Sequence, residues 1–96
     1  MARAVIWTDT AWDDLEAAAD YISRDSEFYA AALVQEARDA AASLADFAER
    51  GQIVPELGDD TIRELLVRPY RLVYKLTEER VFIVAFIHGA QRLWRI

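Results

Sequence analysis

The sequence predicts an α+β fold in the order β-α-α-β-β-β, with a helical hairpin packed on one face of a small, mostly antiparallel sheet. Three observations lead to this prediction. A short apolar run lies near the N-terminus, two apolar stripes at helical spacing follow it, and three apolar runs separated by short polar breaks fill the last third of the chain. Ninety-six residues suffice for one hydrophobic core, so we expect one domain over residues 1–96.

Residues 4–8 (AVIWT) form the predicted first strand, and a helix follows it at once. Thr8 or Thr10 offers the hydroxyl for its N-cap. The apolar stripe of this helix consists of Ala11, Leu15, Ala18 and Ile22, at spacings of four, three and four residues. The spacing predicts a helix that ends near residue 24.

The second helix is predicted to begin after Ser26, which is its expected N-cap. Its apolar stripe consists of Ala30, Leu33, Ala37, Ala40 or Ala41, Leu44 and Phe47. The many alanines favour a close antiparallel approach of the two helices. Residues 50–61 contain glycine, proline and paired aspartates, which predict a loop.

The last third of the chain predicts a three-stranded meander over residues 62–67, 70–77 and 81–87. The last run, VFIVAFI, is apolar on both faces, which indicates a strand in the interior of the sheet. The strand before it carries Arg71 and Lys75 on one side of the pleat. Such a cationic face predicts binding to an anionic group or to a protein partner.

Composition restricts the chemistry that the chain can perform. Without cysteine and with one histidine, the chain has no disulfides, no thiol nucleophile and no expected zinc site, and we expect no cofactor. No stretch is long and apolar enough to predict a membrane segment or a secretion signal, so the expected location is the cytoplasm.

Charge is distributed unevenly along the chain, whose net charge is −6. Residues 1–60 hold four basic and fourteen acidic side chains, whereas residues 61–96 hold seven basic and three acidic ones. The net charge of −10 on residues 1–60 should repel nucleic acid. The net charge of +4 on residues 61–96 should attract phosphate only locally. Direct nucleic-acid binding is therefore not expected.

The meander also resembles a known family. Residues 63–67 (RELLV), 70–76 (YRLVYKL) and 88–90 (HGA) are similar to those of the RelE/ParE superfamily of toxins from type II toxin–antitoxin systems, and the resemblance covers nearly the whole chain. It implies a growth-inhibiting protein that is neutralised in a hetero-oligomer with a cognate antitoxin. ParE-like members bind DNA gyrase, whereas RelE-like members cut mRNA on the ribosome without a metal.

The resemblance to the nucleases is incomplete. Arg71 matches the arginine that RelE-like members place on the scissile phosphate, and Lys75 and Arg92 are the further cations available to a nuclease. However, Gln91 stands where a second basic residue is usual, and residues 52–62 contain no lysine or arginine. We therefore expect a ParE-like gyrase inhibitor that acts by binding, with a RelE-like endoribonuclease as the alternative.

Binding residues are expected on both layers of the fold. The candidates for antitoxin or target contact are Trp12, Asp13, Glu16, Arg71, Lys75, His88, Arg92 and Trp94. Asp13 and Glu16 belong to an acidic helix face that we expect to select a basic antitoxin segment. That face is interpreted as solvated and not as a metal site, because no facing ligand cluster accompanies it. His88 is interpreted as a structural residue whose ring is bonded to backbone.

Overall fold

A computed structural model describes residues 2–93. Its elements are β1 (Ala4–Trp7), α1 (Asp9–Ser23), α2 (Glu27–Ser43), β2 (Gln52–Ile53), β3 (Ile62–Val67), β4 (Tyr70–Leu76) and β5 (Arg80–His88). The five strands form one sheet in the order β1-β5-β4-β3-β2, in which β1 runs parallel to β5 and the other neighbours are antiparallel. The predicted fold class is confirmed. Neither helix in the described range has the length and apolar character needed to cross a membrane.

Thr8 caps α1 and also ties the helix to the sheet. Its side-chain oxygen accepts a hydrogen bond from the Ala11 backbone N–H at 3.2 Å and donates one to the Ile83 carbonyl at 2.8 Å. Of the two threonines that could cap the helix, Thr8 is therefore the one that does so. The turn from β1 into α1 is fixed against β5 by the same hydroxyl.

Ser26 caps α2 as predicted, accepting from the Tyr29 backbone N–H at 3.2 Å. The predicted stripe is buried from Ala30 to Leu44, where the helix ends. The extension of the stripe to Phe47 was wrong, because the chain leaves the helix after Leu44 and the Phe47 side chain is 66% exposed. Helical periodicity no longer determines which side chains point inward beyond that point.

The main core lies between the two helices and one face of the sheet, called here the helix face. The strands contribute Leu65, Val67, Leu72, Tyr74, Val81, Ile83 and Phe86 to this core. The opposite side, called the open face, carries a smaller core of Val54, Ile62, Val73, Ala85 and Leu93. Loop residues and the segment after β5 therefore cover part of the open face.

β5 is apolar on both faces because a core lies against each of them, and a β-bulge changes which residues face each core. Val73 pairs with Ala85 while its neighbour Tyr74 pairs with Ile83, so β5 contains one extra residue, Val84. Ile83 belongs to the core on the helix face, whereas Val84 and Ala85 belong to that on the open face. The prediction of an interior strand is confirmed, since β5 lies between β1 and β4.

The predicted loop over residues 50–61 contains a short strand that the prediction missed. Gln52 and Ile53 pair with Glu64 and Arg63 of β3 to form β2, the edge of the sheet. Two residues are too few for an alternating pattern to be detected. This strand holds the following loop close to the open face, where the candidate site lies.

Candidate functional site

Arg71 lies at the centre of the candidate site, on the open face of β4. Its neighbours in the sheet are Leu66 of β3 and Ile87 of β5. Arg71 is only 6% exposed, and charged side chains are rarely buried to this degree unless they are paired. Burial of a guanidinium requires acceptors for its N–H groups.

Two carboxylates and one carbonyl supply those acceptors. Both terminal nitrogens of Arg71 donate to the carboxylate of Glu56, each at 2.8 Å, which is a bidentate pair. The Nε donates to Glu64 Oε1 at 2.7 Å, and a terminal nitrogen donates also to the Gln91 carbonyl at 2.9 Å. The other terminal nitrogen lies 2.7 Å from the same Glu64 oxygen. The guanidinium is therefore saturated within the chain.

The carboxylates connect Arg71 to the surrounding segments. Glu56 Oε2 accepts from the Leu93 backbone N–H at 3.0 Å, and Glu64 Oε2 accepts from the Gln52 amide at 2.8 Å. These contacts, called here the arginine–carboxylate network, join β2, β3, β4, the loop and the segment after β5. Hydrogen bonding to Arg71 and then to Leu93 lowers the pKa of Glu56 to about 2. The network holds one cation and two anions, so its net charge is −1.

An open cavity of about 370 Å³ lies beside this network. Its lining residues are Pro55, Glu56, Glu64, Leu66, Arg71, Gly89, Ala90, Gln91 and Arg92. Two of the candidate residues, Arg71 and Arg92, thus border the same cavity. The buried carboxylates beside them reduce its attraction for a phosphate group.

Lys75 lies on the same face of β4 as Arg71 but is exposed at the other end of the strand. Its charge contributes, after the hydrogen bonds from Thr61, to lowering the pKa of Asp59. The two cations that predicted a cationic face are therefore each accompanied by carboxylates that the sequence pattern did not reveal.

His88 ends β5, where its ring contacts both backbone and another ring. The Nδ1 atom accepts from the Ala90 backbone N–H at 3.1 Å, and the ring packs edge-on against Tyr70 with centroids 5.8 Å apart. Tyr70 in turn stacks on Phe86 at 4.9 Å. The imidazole is thereby oriented by the turn that follows the strand.

The remaining candidate residues lie on α1 or beyond the described chain. Trp12, Asp13 and Glu16 are exposed along α1. Trp94 falls outside the described residues. Asp14, which sequence reasoning did not select, accepts from the Phe86 backbone N–H at 3.1 Å, and burial raises its pKa. The pairing of β1 with β5 ends at Ile83, so β1 provides no acceptor for the Phe86 N–H, and the Asp14 carboxylate accepts its hydrogen bond instead.

A second concave surface lies between β1 and the two helices, with a volume of about 330 Å³. Its lining residues are Val5, Trp7, Trp12, Arg38 and Ala42, and it is called here the tryptophan groove. Of these residues, only Trp12 was a candidate from the sequence. The five residues come from three elements, and no spacing in the sequence connects them. Within residues 2–93, no group of three or more histidine, aspartate or glutamate side chains is arranged to hold a metal ion.

The fold and the site define a class of small α+β protein in which the strand arginine is enclosed by carboxylates of its own chain. Residues 5–93 match the family model described as "ParE toxin of type II toxin-antitoxin system, parDE". The chain belongs to this ParE toxin family. The resemblance to the RelE/ParE superfamily is thereby confirmed.

Known proteins similar to the chain include a curated toxin and a solved structure. The chain is 39% identical over 88 residues to Toxin RelE2 of Caulobacter vibrioides, with 91% of this chain and 96% of that protein covered. A solved structure titled "Chromosomal ParDE TA system from P. aeruginosa" has a TM-score of 0.73 at 23% identity, and the match covers 91% of this chain and 96% of the other. The second likeness shows the fold alone.

Proposed function

We propose that this toxin inhibits growth by binding DNA gyrase in the cytoplasm, without catalysing a reaction, and that a cognate antitoxin neutralises it in a hetero-oligomer. Family membership supports the toxin and antitoxin roles. The observation that favours binding over catalysis is the state of Arg71, whose guanidinium is saturated by Glu56, Glu64 and the Gln91 carbonyl.

A nuclease role for Arg71 would require its guanidinium to turn toward a scissile phosphate. That movement would break the bidentate contact with Glu56 and the contact with Glu64, leaving two partly or fully buried carboxylates without their cation. Removing one partner from a buried ion pair costs about 3–5 kcal/mol. The remaining negative charge would also repel the phosphate.

A RelE-like endoribonuclease is the second candidate, because the 39% identical relative is named Toxin RelE2. In that case Lys75 and Arg92, which are both exposed, would have to supply cations to the reacting phosphate together with Arg71. Cleavage of a phosphodiester requires positively charged donors, because negative charge develops on the phosphate oxygens in the transition state.

Induction of the chain alone in a bacterial host tests both functions, with mRNA and plasmid DNA examined from the same arrested cells. Intact mRNA together with gyrase-linked DNA breaks is the expected result. Cleavage of mRNA at codon-specific positions, or the absence of arrest, would overturn the proposal. Co-expression of the antitoxin should restore growth.

Substitution of an exposed cation separates the two candidates further. In a gyrase inhibitor, Lys75→Ala should leave mRNA intact, and it should reduce DNA breakage only if Lys75 contacts gyrase. In a nuclease that depends on Lys75, the same substitution would reduce mRNA cleavage by about 100-fold or more. Glu36→Ala, which removes an exposed charge on α2, is the control.

A further inference from the structure

The tryptophan groove has the features of a protein-binding surface. The Trp7 and Trp12 rings meet edge to face, with centroids 5.7 Å apart and planes at 87°. Trp12 is 39% exposed, and Val5 and Ala42 complete the apolar lining. The groove volume of about 330 Å³ lies at the lower end of the range typical of binding pockets.

Arg38 gives this groove an unexpected charge. The helices α1 and α2 together contain eight acidic residues and one basic residue, which is Arg38. Among the described residues, Arg38 alone brings a charge to the lining of the groove. Its side chain is exposed and forms no hydrogen bond or ion pair with residues 2–93. A guanidinium beside an aromatic surface is thus available to a carboxylate from outside.

We propose that the tryptophan groove binds an antitoxin segment in which a large apolar side chain packs against Trp7 and Trp12 and a nearby carboxylate pairs with Arg38. This inference rests on the proposed neutralisation by an antitoxin. Tryptophan and arginine are the residue types that most often dominate binding energy at protein interfaces. The charge of Arg38 disfavours a basic segment in this groove, whereas the exposed carboxylates of α1 are expected to favour one elsewhere.

Titration of the purified chain with the antitoxin encoded by its partner gene tests this assignment. Arg38→Glu and Trp12→Ala should each raise the dissociation constant by about tenfold or more. Arg24→Glu introduces the same change of charge, and Tyr21→Ala removes another exposed aromatic ring of α1. Both control variants should bind within about twofold of the unmodified chain.

A charge exchange identifies the partner carboxylate. Each aspartate and glutamate of the antitoxin is replaced in turn by arginine and titrated against Arg38→Glu. One such replacement should restore binding to Arg38→Glu while weakening binding to the unmodified chain. Thermal unfolding of every variant, followed by circular dichroism, distinguishes a lost contact from a lost fold.

Equal affinity of the unmodified chain, Arg38→Glu and Trp12→Ala for the antitoxin would overturn the assignment while leaving neutralisation intact. Failure of the unmodified chain to bind the antitoxin would overturn both. Loss of self-association in Arg38→Glu, with unchanged antitoxin affinity, would assign the groove to a second copy of the chain and also overturn this inference.

Discussion

Replacing Glu56 with glutamine tests how strongly the arginine–carboxylate network stabilises the fold. The glutamine side chain has nearly the same shape but carries no charge, and its NH2 group cannot accept from Arg71 or Leu93. Glu64 still pairs with Arg71, so the guanidinium keeps one carboxylate partner. The change therefore removes the charge of the bidentate contact and one of the two acceptor oxygens that Arg71 and Leu93 share, while Glu64 stays in place.

The size of the effect follows from the pKa of Glu56. A pKa of about 2 in place of 4.5 corresponds to roughly 3 kcal/mol of stability at neutral pH. Because the side chain is 14% exposed, we reduce this figure to about 2–3 kcal/mol for solvent screening. The lowered pKa also fixes the pH dependence. The contribution is complete above pH 4.5 and disappears as the pH falls toward about 2.

Urea unfolding of the two proteins at a series of pH values measures the difference in their free energies of unfolding. The difference between the unmodified chain and Glu56→Gln should be largest near neutral pH and should shrink below pH 4.5. Glu36→Gln, at an exposed position on α2, should change stability by less than about 0.5 kcal/mol. A Glu56→Gln difference as small as that of the control, or one independent of pH, would refute the reasoning.

Three further predictions concern buried hydrogen bonds. Tyr74→Phe should cost about 2–4 kcal/mol, because the Tyr74 hydroxyl accepts from Gly51 N–H at 2.9 Å and donates to the Ala48 carbonyl at 2.8 Å. Gly51→Ala should cost about 2 kcal/mol or more, since a methyl group there would lie 2.5 Å from the same hydroxyl. Asp14→Asn should change stability by less than about 1 kcal/mol at neutral pH, whereas Asp14→Ala should cost about 1–3 kcal/mol by leaving the Phe86 N–H unpaired.

Urea or thermal unfolding measures all three effects against a matched substitution. Tyr29→Phe alters an exposed ring, and Asp13→Asn neutralises an exposed carboxylate. Gly58→Ala adds a methyl group in open space, so its cost of about 1 kcal/mol comes from the left-handed φ of 61° alone. Each should cost less than its buried counterpart. Equal losses at buried and control positions would contradict the assigned hydrogen bonds. For Asp14, burial raises the pKa because it penalises the charged form, and an asparagine is uncharged and keeps an oxygen that can accept from the Phe86 N–H.

Periodicity predicted most of the fold because its signals are local. The stripe of α1 and the Ser26 cap of α2 lie within single helices, and each β-strand of the meander is long enough to show its pattern. Prediction failed where an element was too short to show a pattern or where a pattern continued past the end of its element. The two residues of β2 are too few for an alternation. Phe47 continued the helical spacing although the helix had already ended at Ser43, with Leu44 as its C-cap.

The environment of the site was less predictable. Arg71 was selected from the sequence as an unusual strand cation, but its partners Glu56 and Glu64 lie 15 and 7 residues away in sequence. Only the path of the loop and the register between β3 and β4 bring them together. Similarly, Trp7, Trp12 and Arg38 come from three different elements, so no spacing in the sequence connects them. Whether these residues bind the antitoxin or the target stays a prediction.

The pairing of β1 with β5 has a consequence for the newly made chain. Ala4 lies opposite Arg80, and the Thr8 hydroxyl reaches Ile83 across 75 residues of sequence. A chain elongating on the ribosome therefore carries its first strand without a partner until residues 80–88 have been synthesised and have left the exit tunnel. Contacts so distant in sequence also slow folding, because a long loop must close before they form. The sheet is thus completed late, because its first strand needs a partner that lies near the other end of the described residues.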